Sequence, residues 1–558
     1  MKNRRIAGLT AALAVGALAL SACSSNGSGS GDETTPAAEG GSTGIVTAWG
    51  GEPQNPLIPT NTNETSGGKI LDLIFAGLVY YDAKGAPHNE VADSITSDDN
   101  TVWTIKLKDG QKFSDGTPVH AENFVKAWNF GATTHPDVPQ QLSNYFFNIF
   151  EGYDETTVCA DDACTEFAEP KATEMSGLKI VDDLTFTATL TSPQSDFPLR
   201  LGYSAYYPLP DSAFDDMDAF GENPVGNGPY VLDEWTHNIE AKLSPNPEYQ
   251  GDRKAQNGGV DIKFYTELEP AYNDLLSGQL DVLDTVPDSA FGTFESDLGD
   301  RAINQPAAIF QSFTIPARLP HFGDDEEGHL RRQAISMAID REQITDVIFQ
   351  GTRTPASDFT SPVIDGWSDS IPGSEVLKFD PDKAKELWAQ ADAISPWDGT
   401  FAIAYNADGG HQGWVEAVTN SIKNTLGIDA EGKSYPDFAT FRTDVTNRTI
   451  TTAFRTGWQA DYPSLYNFLG PIYGTGAGSN DGDYSSPIVD KLLEEGLRAD
   501  SVDAANAKFQ EAQEQLFKDL PAIPLWYSNA TGGYSEAVSN VEFGWNSVPL
   551  HYLITKQG

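Results

Sequence analysis

The hydrophobic positions change period along the chain. Trp103, Ile105 and Leu107 alternate with Thr104 and Lys106, and Leu184, Phe186, Ala188 and Leu190 alternate with three threonines. A period of two predicts strands buried on one face. After Pro381 the period lengthens: Ala384, Leu387, Trp388 and Ala391 fall at i, i+3, i+4 and i+7, which predicts a helix with one apolar face to bury. Val418, Ile422 and Leu426 share a face of a second predicted helix, Trp414 to Leu426. Thr117 before Pro118 predicts a helix start, continuing through Asn123 to Trp128. Val260 to Tyr265, Phe401 to Tyr405, Ile450 to Phe454 and Ile523 to Trp526 are strand-like and separated by helical stretches. There is no internal repeat and no long Pro/Gly linker, so the pattern predicts an α/β body whose lobes are joined by short hinges.

The N-terminus has its own pattern. Lys2, Arg4 and Arg5 precede an apolar run from Ile6 to Leu20, closed by Leu20-Ser21-Ala22-Cys23. That order is a secretory signal, too short and wrongly flanked for a spanning helix. Leu-Ser-Ala-Cys resembles a bacterial lipobox, which implies cleavage before Cys23 and lipidation of that residue. Residues 24–43 are rich in Ser, Gly, Thr and acids and form a tether of about 25 Å r.m.s. reach. With 558 residues, 39% hydrophobic, the body has ample core, while 35 basic against 81 acidic residues, a net charge of −46, argue against nucleic-acid binding. The membrane is then met only through the anchor.

Candidate chemistry is sparse. Cys159 and Cys164, in an oxidising space outside the cytoplasm, are expected to form a local disulfide rather than a metal site, since no further Cys or His lies nearby. Gly427 to Ser434 fits the spacing of a phosphate-binding loop, but it follows a helix and carries Asp429 and Glu431, so the nucleotide reading fails on context. Gly40 to Gly44 fits a hydrolase nucleophile elbow, yet lies in or beside the tether. Asp324-Asp325-Glu326-Glu327 reads as an exposed acidic loop. None of the eight histidines forms an HExxH or a helical ligand pair, and no nucleophile and base stand out. A non-enzyme without metal or cofactor is the expectation.

Ordered blocks extend from about Gly44 to Leu553. They include Pro53-Gln54-Asn55-Pro56-Leu57, the run Lys108 to Val119 with Ala121-Glu122-Asn123-Phe124, Gly226-Asn227-Gly228-Pro229-Tyr230, Arg332 to Arg341, and Gly457-Trp458-Gln459-Ala460-Asp461-Tyr462-Pro463. In these blocks the chain resembles the extracytoplasmic solute-binding proteins of ABC importers, in the peptide and nickel group. The resemblance implies a two-lobed periplasmic-binding-protein-like fold with a hinge, a ligand cleft between the lobes and an extra domain inserted in the first lobe. The implied boundaries are 1–22 signal peptide, 23–43 lipidated Cys and tether, 44–79, 190–307 and 525–558 lobe I, 80–189 inserted domain, and 308–524 lobe II. It implies a monomer at the extracytoplasmic face that delivers short peptides to ABC permease subunits. The peptide-binding strand would fall on Arg455 to Asp461. Asp461 would pair with the ligand α-ammonium, Arg455 and His411 would receive the carboxylate end, and Trp458 would form an aromatic wall. The other ligand readings are a nickel chelate, an oligosaccharide or an opine. An extracellular hydrolase is a reading from a different class.

Overall fold

The computed structural model describes residues 43–136, 140–160, 166–436 and 438–558, excepting the side chains of residues 408 and 439. The signal segment, Cys23, nearly all of the tether and Cys164 lie outside the described residues; Cys159 is disulfide-bonded.

The two alternating segments pair with each other. Val102–Leu107 and Thr185–Thr189 run antiparallel, with Trp103 opposite Ala188 and Ile105 opposite Phe186. With Ala92–Thr96 and Leu178–Asp182 they make a four-stranded antiparallel sheet. Its apolar face is buried beside the helix Ala121–Ala132, where the Phe124 and Phe186 rings stack at 6.0 Å. Burying one such ring contributes roughly 2–3 kcal/mol. That helix starts later than the Thr117-Pro118 pair predicts. The Thr117 hydroxyl is used in a turn, donating to Asp115 Oδ1 at 2.6 Å, and the first helical turn is instead tied by the His120 N–H donating to Asn123 Oδ1 at 2.7 Å.

Eleven of the remaining strands form one mixed sheet. Two antiparallel strands of 13 residues, Ala302–Thr314 and Ala522–Tyr534, run through its middle, the second far longer than the predicted Ile523 to Trp526. On one side follow Ala453–Gln459, Thr400–Asn406 and Asp429–Tyr435, and on the other Val282–Leu283, Ile45–Gly50, Gly259–Phe264, Glu240–Pro245 and Tyr230–Thr236. The pairing of the two long strands slips register between Pro306 and Ile309. Proline has no N–H for the ladder, so a break here is physically expected. The break separates two apolar cores: Ala307 and Ala530 belong with Val46, Ile105 and Val260, whereas Ala308, Phe310 and Trp526 belong with Ile335, Trp388 and Val418. The fold is therefore two-lobed and α/β, with both long strands crossing from one core to the other.

Local signals hold elsewhere. Helix Pro381–Ile394 is capped by Asp380, whose Oδ1 accepts from the Lys383 N–H at 2.9 Å, and it buries the four predicted residues. Helix Gln412–Leu426 ends at Gly427, whose φ of 72° suits glycine, and the phosphate-loop match then runs along a strand with Lys433 and Ser434 inside it. The acidic run is not a loop. Asp325 caps helix Glu326–Met337, accepting from the Gly328 N–H at 2.9 Å, and Glu326 and Glu327 occupy the first turn, where the helix dipole favours negative charge. Among the described residues no helix is long and apolar enough to cross a membrane, and no group of His, Cys, Asp and Glu is placed to hold a metal.

Candidate ligand-binding cleft

The strand Ala453–Gln459 is unevenly paired. One edge is laddered to the first long strand from Phe454 opposite Thr314 to Gln459 opposite Ile309. The other meets Thr400–Asn406 only at Ala453 and Phe454. Among the described residues no strand continues along that edge from residue 455 to 459, which leaves main-chain groups able to accept an extended chain. The strand begins three residues later than Ile450, because the side chains of Ile450 and Phe454 enter a small separate core with Phe441 and Val445.

Two cavities border this strand. The first, about 260 Å³, lies at its C-terminal end and is lined by Gln459, Ala460 and Asp461 together with Glu64, Lys69, Asp72, Tyr81, Tyr203, Tyr207, Arg253, Trp545 and His551. Asn467, in the first turn of the helix Leu465–Tyr473 opened by Ser464, fixes Asp461 twice. Its Nδ2 donates to Asp461 Oδ2 at 3.0 Å, and its Oδ1 accepts from the Asp461 N–H at 3.0 Å. The same oxygen accepts from Trp458 Nε1 at 3.0 Å. Burial pushes the Asp461 carboxyl up to about 6, against the lowering effect of the Asn467 bond. Among the described residues its Oδ1 has no hydrogen-bond partner.

The second cavity, about 250 Å³, follows the strand through Phe454, Arg455, Thr456, Gly457 and Trp458 and is walled by Phe310, Phe438, Phe441 and Tyr473. Arg455 Nε donates to Asn406 Oδ1 at 2.8 Å, and its guanidinium lies 5.1 and 5.2 Å from the centres of the Phe438 and Phe441 rings. Arg442 grips Asp481 at the same cavity, through two bonds of 2.5 and 3.1 Å.

Three of the four predicted ligand residues thus sit on one strand and its continuation: Asp461 in the first cavity, Arg455 and Trp458 in the second. His411 lines neither. It sits at the start of helix Gln412–Leu426, where its Nδ1 accepts from Trp414 Nε1 at 3.0 Å. Asn467 and Asp72 escaped the sequence reading. Asp72 did leave a signal, as the one acid within the apolar run Ile70 to Phe75. Asn467 left none beyond the Ser464 cap, since its role rests on a contact across a turn.

Comparison with known proteins gives a consistent picture. The model of the bacterial extracellular solute-binding proteins, family 5 Middle, matches residues 86–480. The periplasmic oligopeptide-binding protein OppA of Salmonella typhimurium is 28% identical over 465 residues, 81% of either chain. The structure of the Escherichia coli murein tripeptide binding protein MppA matches with a TM-score of 0.74 at 22% identity, over 93% of this chain and 99% of that one. Haemophilus influenzae OppA in complex with RPPGFSPFR matches with a TM-score of 0.73 at 21% identity, over 93% and 99%.

Proposed function

Because the chain belongs to the family 5 bacterial extracellular solute-binding proteins, we propose that it captures short peptides outside the cytoplasmic membrane and hands them to the permease of an ABC importer, without covalent chemistry. One observation carries this reading: an oriented carboxylate, Asp461, whose Oδ1 has no partner among the described residues, lies two residues past the end of a strand whose edge is open. The ligand main chain would lie along residues 455–459 as an added strand, its α-ammonium on Asp461 and its far end toward Arg455. The names of the relatives, which are binding proteins, support the same class. We assign lobe I to 44–79, 190–307 and 525–558, an inserted domain to 80–189 and lobe II to 308–524, with lipidated Cys23 as the anchor.

The test is a cycle of two deletions. Asp461→Ala removes the acceptor, and N-acetylation of the peptide removes the donor. Truncating one partner of a buried charged pair costs about 2 to 5 kcal/mol, roughly 30-fold to several-thousand-fold in affinity. Calorimetry should give a loss of this size for either change alone and little more for both together, because both delete one interaction. Additive losses, or a wild type indifferent to acetylation, would remove Asp461 from the ammonium site.

A further inference from the structure

The cavity at Asp461 contains more negative charge than one ammonium needs. Its two cations are already neutralised by buried acids that do not line it: Lys69 Nζ lies 2.5 Å from Asp284 Oδ2, and Arg253 grips Glu90 through bonds of 2.7 and 2.9 Å. Asp72 has no such partner. Its Oδ1 accepts from the Tyr207 hydroxyl at 2.8 Å, Arg253 donates to its main-chain oxygen instead of its carboxylate, and Oδ2 has no hydrogen-bond partner among the described residues. Asp72 and Asp461 share the cavity with Tyr81 and Tyr203, whose hydroxyls are held protonated chiefly by burial, with both carboxylates adding to the effect. The imidazole that lines the cavity adds no charge to it. His551 is 3% exposed, lines the same cavity and leaves its buried Nδ1 unpartnered; burial beside Lys69 holds it neutral.

We propose that this cavity reads the first side chain of the ligand and selects a cation there, a lysine- or ornithine-like amine, with Asp72 as its carboxylate partner and Asp461 retained for the α-ammonium. The inference rests on the peptide reading above and deepens it. Tyr81, Tyr203 and Trp545 offer aromatic surface for the alkyl stem and for the ammonium itself. A neutral stem in the same place would leave Asp72 desolvated without a counter-charge, a state that burial already disfavours. A first side chain that is anionic would meet both carboxylates.

The experiment uses the whole chain and peptides of one sequence whose first residue is lysine, norleucine or glutamate, each with a free α-amine. Norleucine keeps the stem and lacks the charge. In the wild type, calorimetry should rank lysine above norleucine by about tenfold or more, with glutamate weakest. Asp72→Asn, checked by its melting temperature, should abolish the lysine advantage, with lysine affinity falling and norleucine affinity equal to or above its wild-type value. Equal binding of lysine and norleucine peptides by the wild type overturns the inference and leaves the peptide reading standing, a result that needs no variant to fold. Absence of binding by all three overturns both.

Discussion

Asn467 gives Asp461 a fixed direction but little compensation for burial, and the consequence is a pH dependence. An ammonium needs the carboxylate form. With the carboxyl at about 6, affinity for a peptide whose first residue is glycine should be flat above about pH 6 and fall below it by up to about tenfold per unit. The N-acetylated peptide should lack this step. Glycine is chosen because Asp72 faces the same cavity and burial raises it too, while Glu64 is occupied at the N-terminus of helix Thr65–Ile74, accepting from two main-chain N–H groups. Stability carries the opposite sign. The folded pKa exceeds the ordinary value of about 4, so this group's contribution is present below about pH 4 and lost as pH rises through 6. Asp358, buried beneath Tyr527, also stands at about 6, so melting curves should be compared with those of Asp461→Asn, which loses only the Asp461 part.

At the scale of elements, the open edge of Ala453–Gln459 sets what a ligand backbone can do. A strand turns alternate residues toward a given edge, so an added chain can pair through only every second amide. N-methylating a bound peptide one amide at a time should therefore produce losses that alternate along it, near tenfold at pairing positions and small between them. Calorimetry with the methylated series checks this, and uniform losses would argue against strand addition. Much of this element was legible beforehand. The Gly457 to Pro463 block located the strand, and the apolar period from Ala384 to Ala391 located a helix, because a period acts over a few turns. The starts of the 121–132 helix and the 453–459 strand were not legible. Both depend on which competing partner takes a side chain: Asp115 for Thr117, and the Phe441 cluster for Ile450.

For the whole molecule, the two long strands pass from one core to the other at the Pro306 to Ile309 slip, and beside them Val282 and Leu283 belong to different cores. A ligand touching both sides of the cleft favours the closed arrangement, because only there does it make all its contacts. X-ray scattering should show the radius of gyration falling when a binding peptide is added, and unchanged dimensions at saturation would exclude hinge closure. Membrane attachment is a separate question at this scale. Two acyl signals anchor stably where one is marginal, so Cys23→Ser should move the protein from the membrane fraction to the soluble one. Retention without detergent would assign the anchor elsewhere.

By itself the sequence determined the α/β class, the half-buried strands, the helices with one apolar face and the placing of Asp461 within a family block. Each is carried by residues close together in the chain, where propensity and period act directly. Tertiary structure alone decided which charges are spent. Nothing near Lys69 in sequence reveals that Asp284 neutralises it, nor near Arg253 that Glu90 does, and nothing near Asp72 reveals that its free oxygen shares a cavity with Asp461. It also turned His411 toward Trp414 and away from both cavities. Electrostatic pairing is settled by distance in space and by burial, which depend on how two lobes bring remote segments together, and a local pattern carries no information about either.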